Sequence, residues 1–195
     1  MESKEPRDST VFEIEKKDGQ AKRLTVESAI SIDVNAVRQI SDGLKVKLKN
    51  FEPSEVNDLH LTLGHFGKPD DLYNEIARVV PGLEWDIFEK RLQELLLATE
   101  KVLSEDVTAH TSDIRIFENG AVVLTIDKAQ LLEKKVNVYA ATVRFLSQLG
   151  VSDPDEYMRS STAEGSNLHF LLPDRWDPHI TLGWIKTTEE DGALK

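Results

Sequence analysis

The chain has no cysteine among its 195 residues, which excludes disulfides and thiolate metal sites. Long apolar runs are missing too. Nothing approaches the ~20 residues that a membrane-spanning helix requires. The opening stretch from Met1 to Asp8 is charged and lacks the apolar core of a secretory signal. Positive charge is scarce, with 24 Lys and Arg against 35 Asp and Glu and a formal net charge of −11. A protein that grips long nucleic acid needs a basic surface, so a nucleotide-like substrate here would be a small molecule or a short end. These absences lead to the expectation of an intracellular protein, cytoplasmic with the nucleus left open. It is expected to act as a monomer away from membranes and long nucleic acid.

The periodicities present are mixed. Residues 1–10 read as a solvated tail, and Val11–Glu15 with Leu24–Val26 read as a hairpin around Asp18-Gly19. Ala29–Val34 reads as a strand, and Asn35 as the cap of a helix whose apolar face carries Val37, Ile40, Leu44 and Leu48. Pro53 and Ser54 mark a loop before a strand at Leu59–Gly64. Helices are expected from the acidic start at Asp70-Asp71 to Val80, over Ile87–Leu103, and over Leu131–Leu149, the last closed by Gly150. Two strands, Val107–Phe117 and Ala121–Ile126, flank the turn Glu118-Asn119-Gly120. Residues 151–168 have the composition of a loop, and His179–Ile185 closes the chain as a strand. This order is α+β. Residues 1–28 form a tail and an extra hairpin, and 29–195 a single domain of two similar lobes.

One pentapeptide occurs twice, as His60-Leu61-Thr62-Leu63-Gly64 and His179-Ile180-Thr181-Leu182-Gly183. On a strand, residues i and i+2 share a face, so each copy points an imidazole and a hydroxyl the same way. A single His-x-Thr triplet arises easily by chance. Recurrence with the aliphatic residue, the Leu and the Gly does not. Two histidines can serve as base and acid near neutral pH. Two threonine hydroxyls can donate to the oxygens of an anion held between them.

With Leu59 before the first copy and Pro178 before the second, the chain resembles the 2H phosphoesterase superfamily, which includes the RNA ligase-like cyclic phosphodiesterases. The resemblance extends over about residues 29–186, with only the two motifs specific. It implies a bilobal fold in which two mainly antiparallel sheets face a central cleft, with helices outside and one motif from each lobe. It implies a metal-independent, cofactor-free phosphodiesterase that opens 2′,3′-cyclic phosphates of nucleotides or short RNA ends. His60 and His179 would be catalytic, and Thr62 and Thr181 would hold the phosphate. Cleavage or joining of 2′-5′ linkages, or a domain that binds a nucleotide or protein without turnover, stay open beside it.

Other residues compete for a role. His110-Thr111-Ser112 is a third His-x-Ser triplet, but it lacks the Leu-Gly ending and reads as a strand-end residue. His65 would face away from Thr62 on a continuing strand, and nothing specifies His169. A zinc set of His60, His65 and His179 has awkward spacing for a strand and no clustered carboxylate. Trp176, Arg175 and Tyr157 lie near the second motif and are candidate substrate contacts, by stacking on a base or pairing with phosphate. Packing is the competing role for Trp176, and plain solvation for Arg175.

Overall fold

The computed structural model describes residues 24–28, 34–55, 61–103, 111–161 and 168–186. Its described elements are helices and strands, and each defined strand register is antiparallel, so the architecture is α+β. Among these residues no helix is long and apolar enough to cross a membrane. They divide into two compact units. One holds 24–28, 62–103, 131–161 and 168–176; the other holds 34–55, 61, 111–130 and 177–186. The boundary falls inside a strand, between Leu61 and Thr62.

In the first unit, β1 (Leu24–Ser28) neighbours β3 (Leu61–Gly67). α2 (Pro69–Ala77) opens on proline, whose missing N–H would be unpaired there anyway, and Asp70 and Asp71 meet the positive end of its dipole. α3 (Trp85–Leu103) packs on α4 (Leu132–Leu149). Phe88, Leu92 and Leu95 are buried on α3, and Val138, Thr142, Phe145 and Leu149 on α4, each set recurring at three or four residues, with Leu96 and Leu146 buried beside them. Rings extend this core: Tyr73, Trp85 and Phe88 lie 5.0–5.4 Å apart, and Phe88 meets Phe145 at 6.0 Å. The Tyr73 hydroxyl donates to the Leu83 carbonyl at 2.8 Å.

Lys135 is fully buried in this unit. Its ammonium donates to the carbonyls of Leu63 at 2.7 Å and Phe170 at 2.8 Å, and lies 5.5 Å from the Trp176 ring centroid. A buried ammonium survives only with its donors used, and here they tie α4 to β3 and to the 3₁₀ turn at Leu168–Leu171.

The loop expected over 151–168 is corrected in part. α5 (Pro154–Ser160) lies within it, capped by Asp153, whose carboxylate accepts from the Glu156 N–H at 3.0 Å. Asp153-Pro154-Asp155-Glu156 carries a helix start, which the surrounding polar composition obscures. Tyr139 of α4 donates to Asp155 at 2.7 Å, and Arg159 reaches Asp155 at 2.7 Å and Asp174 at 3.0 Å. The hydrogen bond to Asp155 comes first in pushing the Tyr139 phenol up to about 12, followed by burial. The same bond, then that from Arg159, holds the Asp155 carboxyl below its ordinary range.

In the second unit, β6 (His179–Ile185) is central. Along one edge it pairs with β5 (Ala121–Ile126), which pairs in turn with β4 (Thr111–Ile116). Along the other edge lie β2 (Phe51–Pro53) and Leu61, the first residue of β3, set opposite Ile180. β2 corrects the expected loop at Pro53; three residues are too few for a periodic signal, and proline suits a strand with an open edge. α1 (Val34–Lys47) begins two residues earlier than expected, so Asn35 lies inside it rather than at its cap, and Val34, expected to end a strand, opens the helix instead. Ile40, Leu44 and the following Leu48 pack on Phe51, Val122, Leu124 and Leu182. The β4–β5 turn forms at Glu118-Asn119-Gly120, where Gly120 takes φ 84° and the Asn119 side chain accepts from the Ala121 N–H. The expected strand at Val11–Glu15, residues 29–33 of the strand expected at Ala29–Val34, and residues 107–110 lie outside the described residues.

Lys135→Met should lower stability by roughly 2–5 kcal/mol in chemical denaturation, because two buried carbonyls lose their donor. Tyr139 should ionise near pH 12, read as the phenolate absorbance missing from Tyr139→Phe. Its folded pKa lies above the unfolded one, so its stabilising contribution is complete below about pH 10 and fades as pH rises towards 12. Asp155→Asn should bring that midpoint down.

Candidate functional site

The second copy of the pentapeptide is built by the phase of β6. Ile180 stands opposite Leu124, whereas His179 stands opposite Thr125 and Thr181 opposite Val123. Residues directly opposite on paired strands share a face. Leu124 belongs to the core under α1, so His179 and Thr181 lie on the other face, each half-buried. The register slips between Val122 and Val123, leaving Leu182 as an extra residue on β6. Beyond it Gly183 faces Val122, Trp184 faces Ala121, and Ile185 packs on the core. Strict alternation would have turned Trp184 into the core and Ile185 out of it. The bulge reverses both, so His179, Thr181 and Trp184 share one face.

The His179 ring is held from two sides. Its Nδ1 lies 2.7 Å from the Asp177 carbonyl oxygen, an acceptor only, so Nδ1 carries the proton and the neutral ring keeps its lone pair on Nε2. Phe117 meets it edge-on, with centroids 4.9 Å apart and planes at 78°. Arg115, opposite Val123 on β4, occupies the same face and reaches the Asp177 carboxylate at 3.8 Å. β4 carries its own bulge, bridged by Thr125. This hydroxyl donates to the Asp113 carbonyl at 3.0 Å and accepts the Asp113 N–H at 3.1 Å.

The first copy is built differently. Thr62 and Leu63 lie in the first unit, where the Thr62 carbonyl accepts the Trp176 indole N–H at 3.0 Å and the Leu63 carbonyl accepts from Lys135. His60 lies outside the described residues, as does His110. Trp176 is 8% exposed and its N–H holds β3, so it serves as an anchor for the strand and leaves little ring surface for a base. Arg175 is exposed in the first unit. Tyr157, on α5, buries its hydroxyl without a hydrogen-bond partner among the described residues, and burial pushes its phenol pKa well up. No family model, curated protein or solved structure gives a significant match to this chain. The reading of the site therefore rests on its own geometry.

Leu63 and Leu182 are both buried. The two glycines are packing positions too. A Cβ on Gly183 would collide with the Glu52 carbonyl and come within 2.7 Å of the Phe51 ring, and one on Gly64 would sit 3.0 Å from Leu171. Three of the five positions in each pentapeptide, the aliphatic residue, the leucine and the glycine, are thus packing positions. Arg115, Phe117, Asp177 and Trp184 escape a reading of the sequence. Counting back from the Gly120 turn gives Arg115 its face on the hairpin, but nothing in the residue order reveals that β6 lies alongside or that its phase slips at Leu182.

Gly183→Ala should cost about 1–3 kcal/mol in chemical denaturation, since β2 must move. Gly64→Ala should cost less, because its nearest obstacle is the end of a flexible leucine. His179→Ala should cost about 0.5–2 kcal/mol, since the Asp177 hydrogen bond and the edge-on contact with Phe117 are both lost.

Proposed function

We propose that the chain is a metal-independent phosphodiesterase of the two-histidine kind, opening 2′,3′-cyclic phosphates of nucleotides or short RNA ends. The reading includes the bilobal 2H architecture, with His60 and His179 as the acid–base couple and Thr62 and Thr181 as donors to the non-bridging oxygens. The observation that carries it is the antiparallel pair Leu61–Ile180, formed by the middle residues of the two His-x-Thr triplets. A duplicated motif used as one site calls for such a register. Duplicated strands of merely structural value have no need of it.

His179 is suited to either half of the reaction. With Nδ1–H committed to a carbonyl, the neutral ring offers Nε2 as a base, and the imidazolium offers Nε2–H as an acid in the same orientation. In hydrolysis one histidine takes a proton from water as the water oxygen bonds to phosphorus. The bond from phosphorus to one ribose oxygen then breaks, and that oxygen takes its proton from the other histidine. The threonine hydroxyls and the charge-bearing oxygens are matched where negative charge concentrates.

Hydrolysis of 2′,3′-cyclic mononucleotides in EDTA tests this. His60→Ala and His179→Ala should each lower the rate by about 10² to 10⁴. Loss of wild-type activity to the chelator would overturn the metal-free mechanism, and an unchanged rate in either variant would remove that histidine. Turnover of 2′-5′ oligonucleotides alone would replace the cyclic substrate with the linear one.

A further inference from the structure

The face that carries His179 and Thr181 also holds Arg115 and Trp184, with Glu52 of β2 opposite Trp184 and its carboxylate paired to Lys186 at 2.7 Å. Arg115 is 56% exposed and has Asp177 as its ion-pair partner, 59% exposed and 3.8 Å away. A pair so open to water and so far apart is worth little, and a bidentate phosphate contact is much stronger. Asp177 is also the residue whose carbonyl holds His179. Arg115 and His179 therefore converge on one residue, by its side chain and its main chain respectively. On a chain of net charge −11, a guanidinium beside the imidazole is the group that would offset the charge of an anionic ligand.

Trp184 stands at the other end. It is 48% exposed, and the bulge places it on this face. Thr181 pairs with Val123 and Trp184 with Ala121, two residues apart on β5, so they are separated along the sheet by about 7 Å instead of the ~10 Å of three regular residues. That shorter span matches one ribose between a phosphoryl group and its base. Indole is the best stacking surface among side chains, and stacking tolerates any base.

We propose that this face of the second unit is a subsite for one nucleoside phosphate, with Arg115 binding the phosphoryl oxygens in exchange for Asp177 and Trp184 stacking the base. The subsite rests on the phosphodiesterase reading for its reaction but not for its binding. It names a single nucleotide as the unit recognised. It adds a cation and an aromatic platform to the duplicated histidines and threonines.

Calorimetric titration of the full chain with adenosine 2′-monophosphate, adenosine and inorganic phosphate, alongside the cyclic-phosphate assay, tests it. Arg115→Gln should weaken the nucleotide and inorganic phosphate about ten- to hundredfold and leave adenosine unchanged, with Arg115→Lys in between. Trp184→Ala should weaken the nucleotide and adenosine about tenfold and leave inorganic phosphate unchanged. Circular dichroism should show both variants folded; if either is not, Arg115→Lys and Trp184→Phe carry the comparison. Wild-type affinities in the Arg115 or Trp184 variants would overturn the subsite while leaving any cyclic-phosphate turnover intact. Nucleotide binding with these losses, but no cyclic-phosphate turnover, would retain the subsite and overturn the reaction. No binding and no turnover would overturn both.

Discussion

β6 must bury aliphatic side chains under α1 on one face and present an imidazole and a hydroxyl on the other, and two-residue alternation can meet both demands only as far as Leu182. Past that point it would bury Trp184 and expose Ile185. The extra residue between the Val123 and Val122 pairings resolves the conflict by re-phasing the strand. Everything distinctive in the second unit depends on this. Gly183 comes to face Val122 on the core side and has no side chain, which lets Phe51 and the Glu52 carbonyl close over it. Phe51 then joins Val122, Leu124 and Leu182 in the core, and the opposite face keeps His179, Thr181 and Trp184 together.

The first unit solves a different problem with a different device. Two successive carbonyls of the first motif, those of Thr62 and Leu63, accept from side chains, one from the Trp176 indole and one from the Lys135 ammonium. Successive carbonyls of a strand point to opposite edges, so the motif is gripped on both. Trp176 also lies beneath Lys135, which makes the two donors one assembly. Removing either would leave a buried acceptor unpaired and a cavity beside it, so this assembly sets the position of β3 more firmly than any aliphatic contact would.

Much of this was legible in the chain itself, and the failures have physical causes. The strand at His179–Ile185, the turn at Asn119-Gly120 and the helix stop at Gly150 follow from local rules, and the structure follows them. The duplicated His and Thr could be singled out because a functional pair needs i and i+2 on a strand, a local property. Arg115, Asp177 and Trp184 could not. Their importance comes from which strand lies beside which, and from one bulge that no residue type announces. α5 was hidden for another reason: its cap and proline start are ordinary helix signals, but among its seven residues only Met158 is buried, which leaves no apolar stripe. Trp176 was ambiguous for lack of its partner, since an aromatic before a motif strand reads equally as platform or as anchor until its N–H is followed to Thr62.

The charge balance bears on the proposed chemistry more closely than as a bar to long nucleic acid. With an excess of carboxylates, a binding face for a phosphate cannot rely on a general positive field, and has to use short-range donors. On the proposed reading the second unit does so in three ways. Thr181 supplies a neutral hydroxyl. His179 is held through Nδ1, which leaves Nε2 as the ring nitrogen free of that contact. Arg115 supplies a full charge, held only loosely by Asp177 at 3.8 Å. On the proposed reading such a face favours a ligand that brings a base to stack as well as a charge to pair. A bare anion would pair with Arg115 but leave Trp184 unused and so bind less tightly than a nucleotide, and a long polyanion would meet the repulsion of the rest of the chain.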